Sequence, residues 1–177
     1  MVKYLILYFF NTILSLDMST KSSGWAIFEN KDLKNYGCIT SSSTDLIKRI
    51  HVMIDGLREV LNNNKIDKIV VEEVRPDVGT SNLQTHRALM WLQAALAFLI
   101  HDDFKTIEIE YIYPSSWRAK CGIKNGRGIK RETLKEADIR FVKDNYNIDV
   151  NDDIADAIAI GHSQINESKD AGMIIWS

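Results

Sequence analysis

The segment from Ile13 to Asn30 is the part of this sequence that most constrains its fold. It contains an apolar run, Ile13 to Leu16, then Asp17 and a small polar turn, and then a second apolar run, Trp25 to Phe28. This pattern is typical of a β-hairpin, in which we expect Gly24 to serve the turn because glycine adopts positive φ at little steric cost. A carboxylate on a buried strand is costly unless a cation or hydrogen bonds compensate its charge. Asp17 therefore predicts a cation site at the end of the first strand.

The rest of the sequence alternates between strand and helix patterns. Three more strand patterns cover residues 35–40, 68–74 and 106–113. Helix patterns cover residues 45–61 and 83–100, a short segment from Pro114, a segment ending near Tyr146, and residues 152–165. We expect Thr44 and Asn151 to cap the first and last of these helices, because their side chains can accept hydrogen bonds from the first backbone amides. Five strands interleaved with helices predict an α/β fold, a mixed sheet with helices on both faces.

Length and composition indicate a single soluble domain. A chain of 177 residues can bury one core, and its 45% hydrophobic and 26% charged content is ordinary for a globular protein. Cys38 and Cys121 form neither a disulfide framework nor a zinc-spaced cluster, which favours a reducing compartment such as the cytoplasm. Lys3, Asn11 and Thr12 interrupt the apolar N-terminus too early for a membrane helix of roughly 20 residues, so we expect residues 1–11 to extend the first strand or to add to its edge. We expect residues 169–177 to form a C-terminal tail.

Acidic residues recur at three places where a buried carboxylate needs a partner. Asp17 ends the first strand, and Glu72 or its neighbour Glu73 ends the fourth; strand alternation alone leaves that choice open. The i,i+3 spacing places Asp153 and Asp156 on one face of the last helix. For Asp153 an equally good explanation is a first-turn acid favoured by the helix dipole. Asp156 lies among small apolar residues that indicate close packing, where a carboxylate requires a partner for its charge.

Carboxylates that converge repel one another. A pair about 4 Å apart costs about 4 kcal/mol at an effective dielectric constant near 20, so the cluster persists at neutral pH only with protons or cations. Oxygen ligands without nearby His or Cys favour Mg²⁺ or Mn²⁺ over zinc. Two such ions roughly 3.5–4 Å apart can activate a water and stabilise the leaving oxygen of a phosphodiester. The acids therefore predict a metal-dependent centre that hydrolyses phosphodiesters.

The segment from Pro114 to Lys143 has a strong local positive charge. It holds nine basic and three acidic residues, a net charge of +6, which leaves −8 for the rest of a chain whose net charge is −2. Three glycines, Gly122, Gly126 and Gly128, let its backbone approach phosphates, so the segment predicts nucleic-acid binding. The candidate DNA ligands are Arg118, Lys120, Lys124, Arg127, Lys130 and Arg131. A solvated helix face is the alternative for the later basic residues, Lys135, Arg140 and Lys143. Trp117 either stacks on a base or is buried under the helix.

These motifs together resemble the RuvC-type Holliday junction resolvases of the ribonuclease H-like superfamily, in particular the phage-encoded branch. The resemblance spans about residues 12–164 and is carried by LSLDMSTKSSGWAIF, IVVEEV, YPSSWRAKCGIKNGRGIKRETLK and DDIADAIAIGHS. It implies a ribonuclease H-like five-stranded sheet and a Mg²⁺-dependent endonuclease that cleaves branched DNA such as four-way junctions. It also implies that the metal-binding catalytic acids are Asp17, Glu72, Asp153 and Asp156.

The resemblance further implies two basic residues near the scissile strand, Arg118 and Lys130, and we expect Lys130 to act in catalysis. It implies a homodimer that places two active sites on one four-way junction. The family's dimer contact falls here on the helix over 83–100, where Trp91 and Phe98 widen the apolar stripe beyond what a lone surface helix requires.

Two departures from the bacterial pattern predict a broad specificity for branched DNA, as in phage relatives acting in the host cytoplasm. Ser19 stands where bacterial members usually have glycine, and the loop over 74–82 has no aromatic residue. A nuclease of the same fold that acts on RNA or an RNA–DNA hybrid remains an alternative, since the acids do not separate the two substrates. An ATPase or sugar kinase would need a second, duplicated domain, for which the chain is too short. A non-catalytic junction-binding module conflicts with four intact acids.

Overall fold

A mixed β-sheet organises the chain. The computed structural model describes residues 12–74, 83–126 and 128–165. The strands of the sheet are β1 (Thr12–Asp17), β2 (Ser22–Glu29), β3 (Asp32–Thr40), β4 (Lys68–Glu72) and β5 (Glu108–Ile112). They lie in the order β3-β2-β1-β4-β5. The pairs β3–β2 and β2–β1 are antiparallel, and the pairs β1–β4 and β4–β5 are parallel. The five strands and their mixed directions confirm the predicted sheet.

Helices cover both faces of the sheet, as the sequence predicts. They are α1 (Leu46–Asn63), α2 (Leu83–Asp103), α3 (Pro114–Lys120), α4 (Arg131–Tyr146) and α5 (Asp152–Ile165). On one face α1 and α2 bury Met53, Leu92 and Leu96 against Leu14 and Leu16 of β1. The opposite face packs against α3, α4 and α5, and the fully buried side chains there include Phe28, Trp117, Val142 and Ile158.

Four predicted features fall outside the described residues: the strand extension over 1–11, most of the loop over 74–82, Arg127, and the tail over 169–177. Within the three described ranges, no helix is both long enough and apolar enough to cross a membrane.

Small residues let α5 pack directly on β1 and β2. The hydroxyl of Ser15 in β1 donates a hydrogen bond to the carbonyl of Ala157 in α5 at 2.7 Å. A Cβ on Gly161 would lie 2.3 Å from the ring of Phe28 in β2, so only glycine fits that position without a shift. The helix therefore reaches the strand backbone, and its acidic first turns lie over the end of β1.

Gly24 serves this close packing and not a turn, so the prediction for it is wrong. It lies within β2, paired with Asp17 of β1. A Cβ on Gly24 would lie 1.9 Å from the backbone carbonyl oxygen of Asp153 in the first turn of α5. The glycine is needed because a helix terminus occupies the space that a side chain would fill.

The N-cap of α5 is the predicted residue, whereas the N-cap of α1 differs from the prediction by one residue. Asn151 caps α5, accepting a hydrogen bond from the Ile154 amide at 3.0 Å, as predicted. Helix α1 is capped by Asp45 instead of Thr44, since the Asp45 carboxylate accepts from the Lys48 amide at 2.9 Å. A carboxylate also interacts favourably with the positive end of the helix dipole, which accounts for the one-residue difference.

Candidate metal centre

Asp17 and Glu72 meet at one edge of the sheet because β1 and β4 are parallel. Leu16 pairs with Val71, so the next residue of each strand, Asp17 and Glu72, ends its strand at the same level. Burial raises the pKa of Asp17 well above its ordinary value, and the charges of Glu72 and Asp153 raise it further. A carboxylate with acidic neighbours and little water is a place where a cation lowers the free energy.

The structure answers which glutamate of the VEEV sequence faces this edge. Side chains alternate along β4, so Val70 packs in the cluster beside α3 and α5, whereas Val71 packs on the α1 and α2 face. Glu72 therefore points to the side where α5 lies. Glu73 lies near Tyr111, whose pKa is raised by burial and by the charge of Glu73.

Two buried side chains hold Glu72 in place. Trp117 of α3 donates its indole Nε1–H to Oε2 of Glu72 at 2.8 Å, and Gln93 of α2 donates to its backbone carbonyl at 2.9 Å. Burial raises the pKa of Glu72, and the Trp117 hydrogen bond opposes that rise. Of the two alternatives for Trp117, the structure shows burial: the ring has no exposed surface.

The two aspartates of the first turn of α5 have different partners. Ser22 at the start of β2 donates its hydroxyl to Oδ2 of Asp153, and the charge of Asp153 acts on Asp17. Asp152 instead forms an ion pair with Lys135 of α4, and the hydrogen bond from Lys135 lowers the pKa of Asp152. Asp153 thus lies near Asp17, whereas Asp152 lies near Lys135 of α4.

Asp156 of α5 has a largely buried carboxylate that lacks a full set of partners. Its side chain is 15% exposed, and Oδ1 is buried with no hydrogen-bond partner among the described residues. Burial first, and then the charges of Asp17 and Asp138, raise the pKa of Asp156 to about 10. Its other oxygen, Oδ2, lies 3.5 Å from Nη2 of Arg118. A buried acceptor without a donor costs free energy, which a bound cation would recover.

The oxygen donors of these four acids suit a hard divalent cation, although the four side chains are not arranged as a complete coordination shell. Across the described residues, no three His, Cys, Asp or Glu side chains are arranged to hold a metal ion. The reason is visible for two of them, since Asp153 is turned to Ser22 and Asp156 to Arg118. The all-oxygen donor set and the unpartnered oxygen of Asp156 nevertheless suit Mg²⁺ or Mn²⁺.

Arg118 lies behind the acids and not on the surface. Its guanidinium donates through Nε to both carboxylate oxygens of Asp138, at 3.2 and 3.1 Å, and through Nη2 to Oδ2 at 2.7 Å. Asp138 is fully buried, and the guanidinium also lies 4.1 Å from the centre of the Trp117 ring. Asp138 is not among the site residues predicted from the sequence. One signal for it is present, because it lies on the inward stripe of α4, four residues from Leu134 and four from Val142.

Comparison with known proteins gives both sequence and structural relatives. A curated sequence, the crossover junction endodeoxyribonuclease RuvC of Aliarcobacter butzleri, is 28% identical over 158 residues, covering 86% of this chain and 97% of the relative. The chain is a homologue of RuvC. No family model matches the sequence.

Solved structures of RuvC-type resolvases share the fold of this RuvC homologue. Thermus thermophilus RuvC in complex with a Holliday junction substrate matches with a TM-score of 0.67 and 14% identity, covering 86% of this chain and 91% of that one. The yeast mitochondrial Holliday junction resolvase Ydc2 matches with a TM-score of 0.54 and 14% identity, covering 86% of this chain and 77% of that one. Both likenesses confirm the ribonuclease H-like sheet with its flanking helices.

Besides the buried Arg118, one exposed basic residue of the RuvC homologue acts on the acids. Arg131, the first residue of α4, is exposed, and its charge lowers the pKa of Asp17 and of Glu72. The basic segment from Pro114 to Lys143 also has exposed lysines at Lys120, Lys124 and Lys130. Lys130 occupies the N-cap position of α4, immediately before Arg131.

The turn after Asp17 accommodates a serine at position 19. The Ser19 amide donates to Oγ of Ser23 at 3.0 Å, and the Ser23 hydroxyl donates back to the Ser19 carbonyl at 2.6 Å. Ser19 does not adopt positive φ, so the backbone imposes no demand for glycine. Ser19 is therefore compatible with a well-formed turn beside the acids.

Proposed function

We propose that this RuvC homologue is a metal-dependent endonuclease that hydrolyses phosphodiester bonds in branched DNA such as Holliday junctions. The observation that carries the proposal is the gathering of Asp17, Glu72 and the acids of α5 at one sheet edge, with a buried oxygen of Asp156 left unpartnered. Its support from relatives is the RuvC sequence match and the fold shared with resolvases whose substrate is a Holliday junction.

The residues that would hold the metal are Asp17, Glu72, Asp153 and Asp156. We propose Mg²⁺, with two ions per site and Mn²⁺ as a substitute, because all the donors are hard oxygens. Bound ions of this kind supply an activated water and neutralise the charge that develops on the leaving oxygen. The protein's own contribution is orientation: Trp117 fixes Glu72 from α3, and Ser22 fixes Asp153 from β2.

Phosphate reaches these acids along the basic side of α3 and α4. The chain as a whole is acidic, so DNA binding requires a local positive surface. Arg131 and Lys130 lie at the start of α4, where Arg131 is close enough to influence Asp17. We assign Lys130 and Arg131 to the scissile phosphate, and Lys120 and Lys124 to the flanking backbone.

Helix α2 offers a surface for a second copy of the chain. Its exposed apolar side chains are Leu83, Met90, Trp91 and Phe98, and Phe98 is 69% exposed. Apolar side chains grouped on one helix commonly mark an interface. A homodimer through α2 would bring two acid clusters to one four-way junction, whose arms are related by symmetry. A broad branched-DNA specificity, a phage origin and a cytoplasmic location stay predictions of the sequence.

Cleavage of synthetic substrates tests the function. The purified protein with Mg²⁺ is expected to nick a labelled four-way junction, and to nick a linear duplex of the same sequence much more slowly. Asp17→Asn is expected to abolish nicking while leaving junction binding intact, because the substitution preserves shape and removes one charge. Faster cleavage of an RNA–DNA hybrid than of the junction would favour the alternative substrate, and full activity of Asp17→Asn would rule out the proposed centre.

A further inference from the structure

The buried ion pair between Arg118 and Asp138 lies directly beside a proposed metal ligand. The guanidinium makes three hydrogen bonds of 2.7–3.2 Å to Asp138, and the same Nη2 lies 3.5 Å from Oδ2 of Asp156. The side chain of Arg118 is 11% exposed and that of Asp138 is 0% exposed. One permanent cation is thus shared unequally between two carboxylates from different helices, α4 and α5.

Stability alone gives a weak reason for such a pair. Removing two charges from water costs about as much as their attraction returns, so a buried ion pair is often no better than apolar side chains of the same volume. A second feature needs an account as well: Oδ1 of Asp156 has no hydrogen-bond partner, although a five-donor guanidinium lies within reach of the same carboxylate.

The direction in which Arg118 is held explains both features. Arginine stays charged in proteins, and its planar fork fits a carboxylate with two parallel hydrogen bonds. A guanidinium free to turn would make that two-pronged contact with Asp156 and would compete with any divalent cation for its oxygens. Asp138 takes the fork instead, and the Trp117 ring, 4.1 Å from the guanidinium carbon, limits motion on one side.

We propose that Asp138 is a positioning residue that restrains Arg118, so that the guanidinium does not close onto Asp156 and this carboxylate remains available to a divalent cation. The inference rests on the proposed metal centre. It assigns a role to a buried acid of α4 that touches neither the metal nor the DNA. It also assigns Arg118 to the support of the acids, in place of the DNA contact predicted from the sequence.

Mg²⁺ binding by the protein in the absence of DNA tests the inference without depending on cleavage. Asp138→Asn keeps the size of the side chain and removes its charge, so Arg118 is released towards Asp156. We expect its dissociation constant for Mg²⁺, measured by titration calorimetry, to rise about tenfold or more, as for other residues that orient metal ligands. Asp144→Asn, the same change at an exposed position of α4, is expected to leave the constant unchanged.

A double variant distinguishes restraint of Arg118 by Asp138 from a general structural role of Asp138. Asp138→Asn combined with Arg118→Gln removes the competing cation together with its restraint, and we expect it to bind Mg²⁺ within about threefold of the wild type. In cleavage assays, the single variant is expected to need more Mg²⁺ for half-maximal rate and to regain most of its rate at saturating Mg²⁺.

Several outcomes would overturn the inference. One is an Asp138→Asn protein that unfolds at lower temperature yet binds Mg²⁺ as the wild type does. Another is a double variant that binds Mg²⁺ tenfold more weakly than the wild type, and this comparison holds even if the single variant fails to fold. A wild-type protein that binds no divalent cation would overturn the metal centre itself, and the inference with it.

Discussion

The indole Nε1–H of Trp117 donates a hydrogen bond to Oε2 of Glu72 at 2.8 Å, and this contact ties α3 to the acid that ends β4. The bond fixes one carboxylate oxygen of Glu72, the residue whose charge raises the pKa of Asp17. It also means that α3, a helix of seven residues, supports the proposed metal centre through Trp117 and through Arg118 behind it.

Trp117→Phe is expected to slow DNA cleavage about tenfold, because Glu72 loses the donor that orients it. Folding stability is expected to fall by about 1–3 kcal/mol, since a buried acceptor loses its partner. Cleavage rates at saturating DNA and urea unfolding curves measure the two effects. Tyr36→Phe, an aromatic substitution at an exposed position of β3, serves as the control. An unchanged cleavage rate in Trp117→Phe would mean that Glu72 needs no such orientation.

The metal-free protein is expected to lose stability as pH rises. The pKa of Asp156 rises from its ordinary 3.8 to about 10 in the folded protein, so the folded state binds protons that the unfolded state releases. The stability contributed by this group is fully present below about pH 4 and is lost as the pH approaches 10. The raised pKa of Asp17 acts in the same direction.

Urea unfolding in EDTA between pH 5 and pH 9 measures this dependence. Asp17→Asn, which removes one of the mutually repelling charges, is expected to stabilise the metal-free protein more at pH 8 than at pH 5. Mg²⁺ is expected to raise wild-type stability most at the higher pH. A metal-free stability that increases with pH across this range would contradict the burial of these acids.

Gly24→Ala is expected to damage both folding and cleavage. The new methyl group would meet the carbonyl oxygen of Asp153 at 1.9 Å and push the start of α5 away from β2. Overpacking of this kind costs about 1–3 kcal/mol, and displacement of catalytic groups by about 1 Å can cost about 100-fold in rate. The three atoms nearest to a Cβ on Gly56 in α1 all belong to the side chain of Ile39, at 2.8–3.0 Å, so Gly56→Ala is expected to spare cleavage. Equal effects of the two substitutions on cleavage would exclude this account.

Two basic residues at the start of α4 are expected to contribute more to the affinity for DNA than one basic residue near the end of the helix. Lys130→Ala and Arg131→Ala should each weaken junction binding and reduce the slope of log affinity against log salt by about 1, because each removes a phosphate contact. Lys143→Ala should change neither, since Lys143 pairs with Asp149 at 2.7 Å. Fluorescence anisotropy across a salt series measures all three. Equal losses would indicate a diffuse electrostatic surface.

Phe98→Asp is expected to convert a dimer into a monomer. The side chain is 69% exposed on α2, and a charge there would be buried in the proposed interface. Light scattering after size-exclusion chromatography measures the mass. Ile47→Asp on α1, 51% exposed, is the control and should leave the mass unchanged. A wild-type protein that is monomeric at micromolar concentration would rule out the α2 dimer.

The sequence predicts the fold well because its signals are local and periodic. Apolar runs and turn residues locate the five strands, and the acids that end β1 and β4 follow from strands that run parallel. What the sequence leaves open depends on contacts between distant segments. The choice of Glu72 over Glu73 requires knowing which face of the sheet α5 covers, and the role of Gly24 requires knowing that Asp153 lies against it.

The basic composition of the segment from 114 to 143 hides its one buried acid. Asp138 lies between Lys135 and Arg140 in a segment of net positive charge, so a count of charges treats it as a surface residue. Its burial depends on Arg118, twenty residues earlier, whose own exposure was inferred from the same composition. A pair of opposite charges that neutralise each other inside the protein leaves little trace in a net charge.

The proposed metal ligands come from widely separated parts of the chain, and this has a consequence for synthesis. β1 and β4 supply Asp17 and Glu72 early, whereas Asp153 and Asp156 arrive only with α5, which docks through Ser15 and Ala157. A nascent chain that has emerged as far as α4 holds half of the acids and cannot assemble the centre. The ribosome would thus release a protein able to cut DNA only after nearly the whole domain has folded.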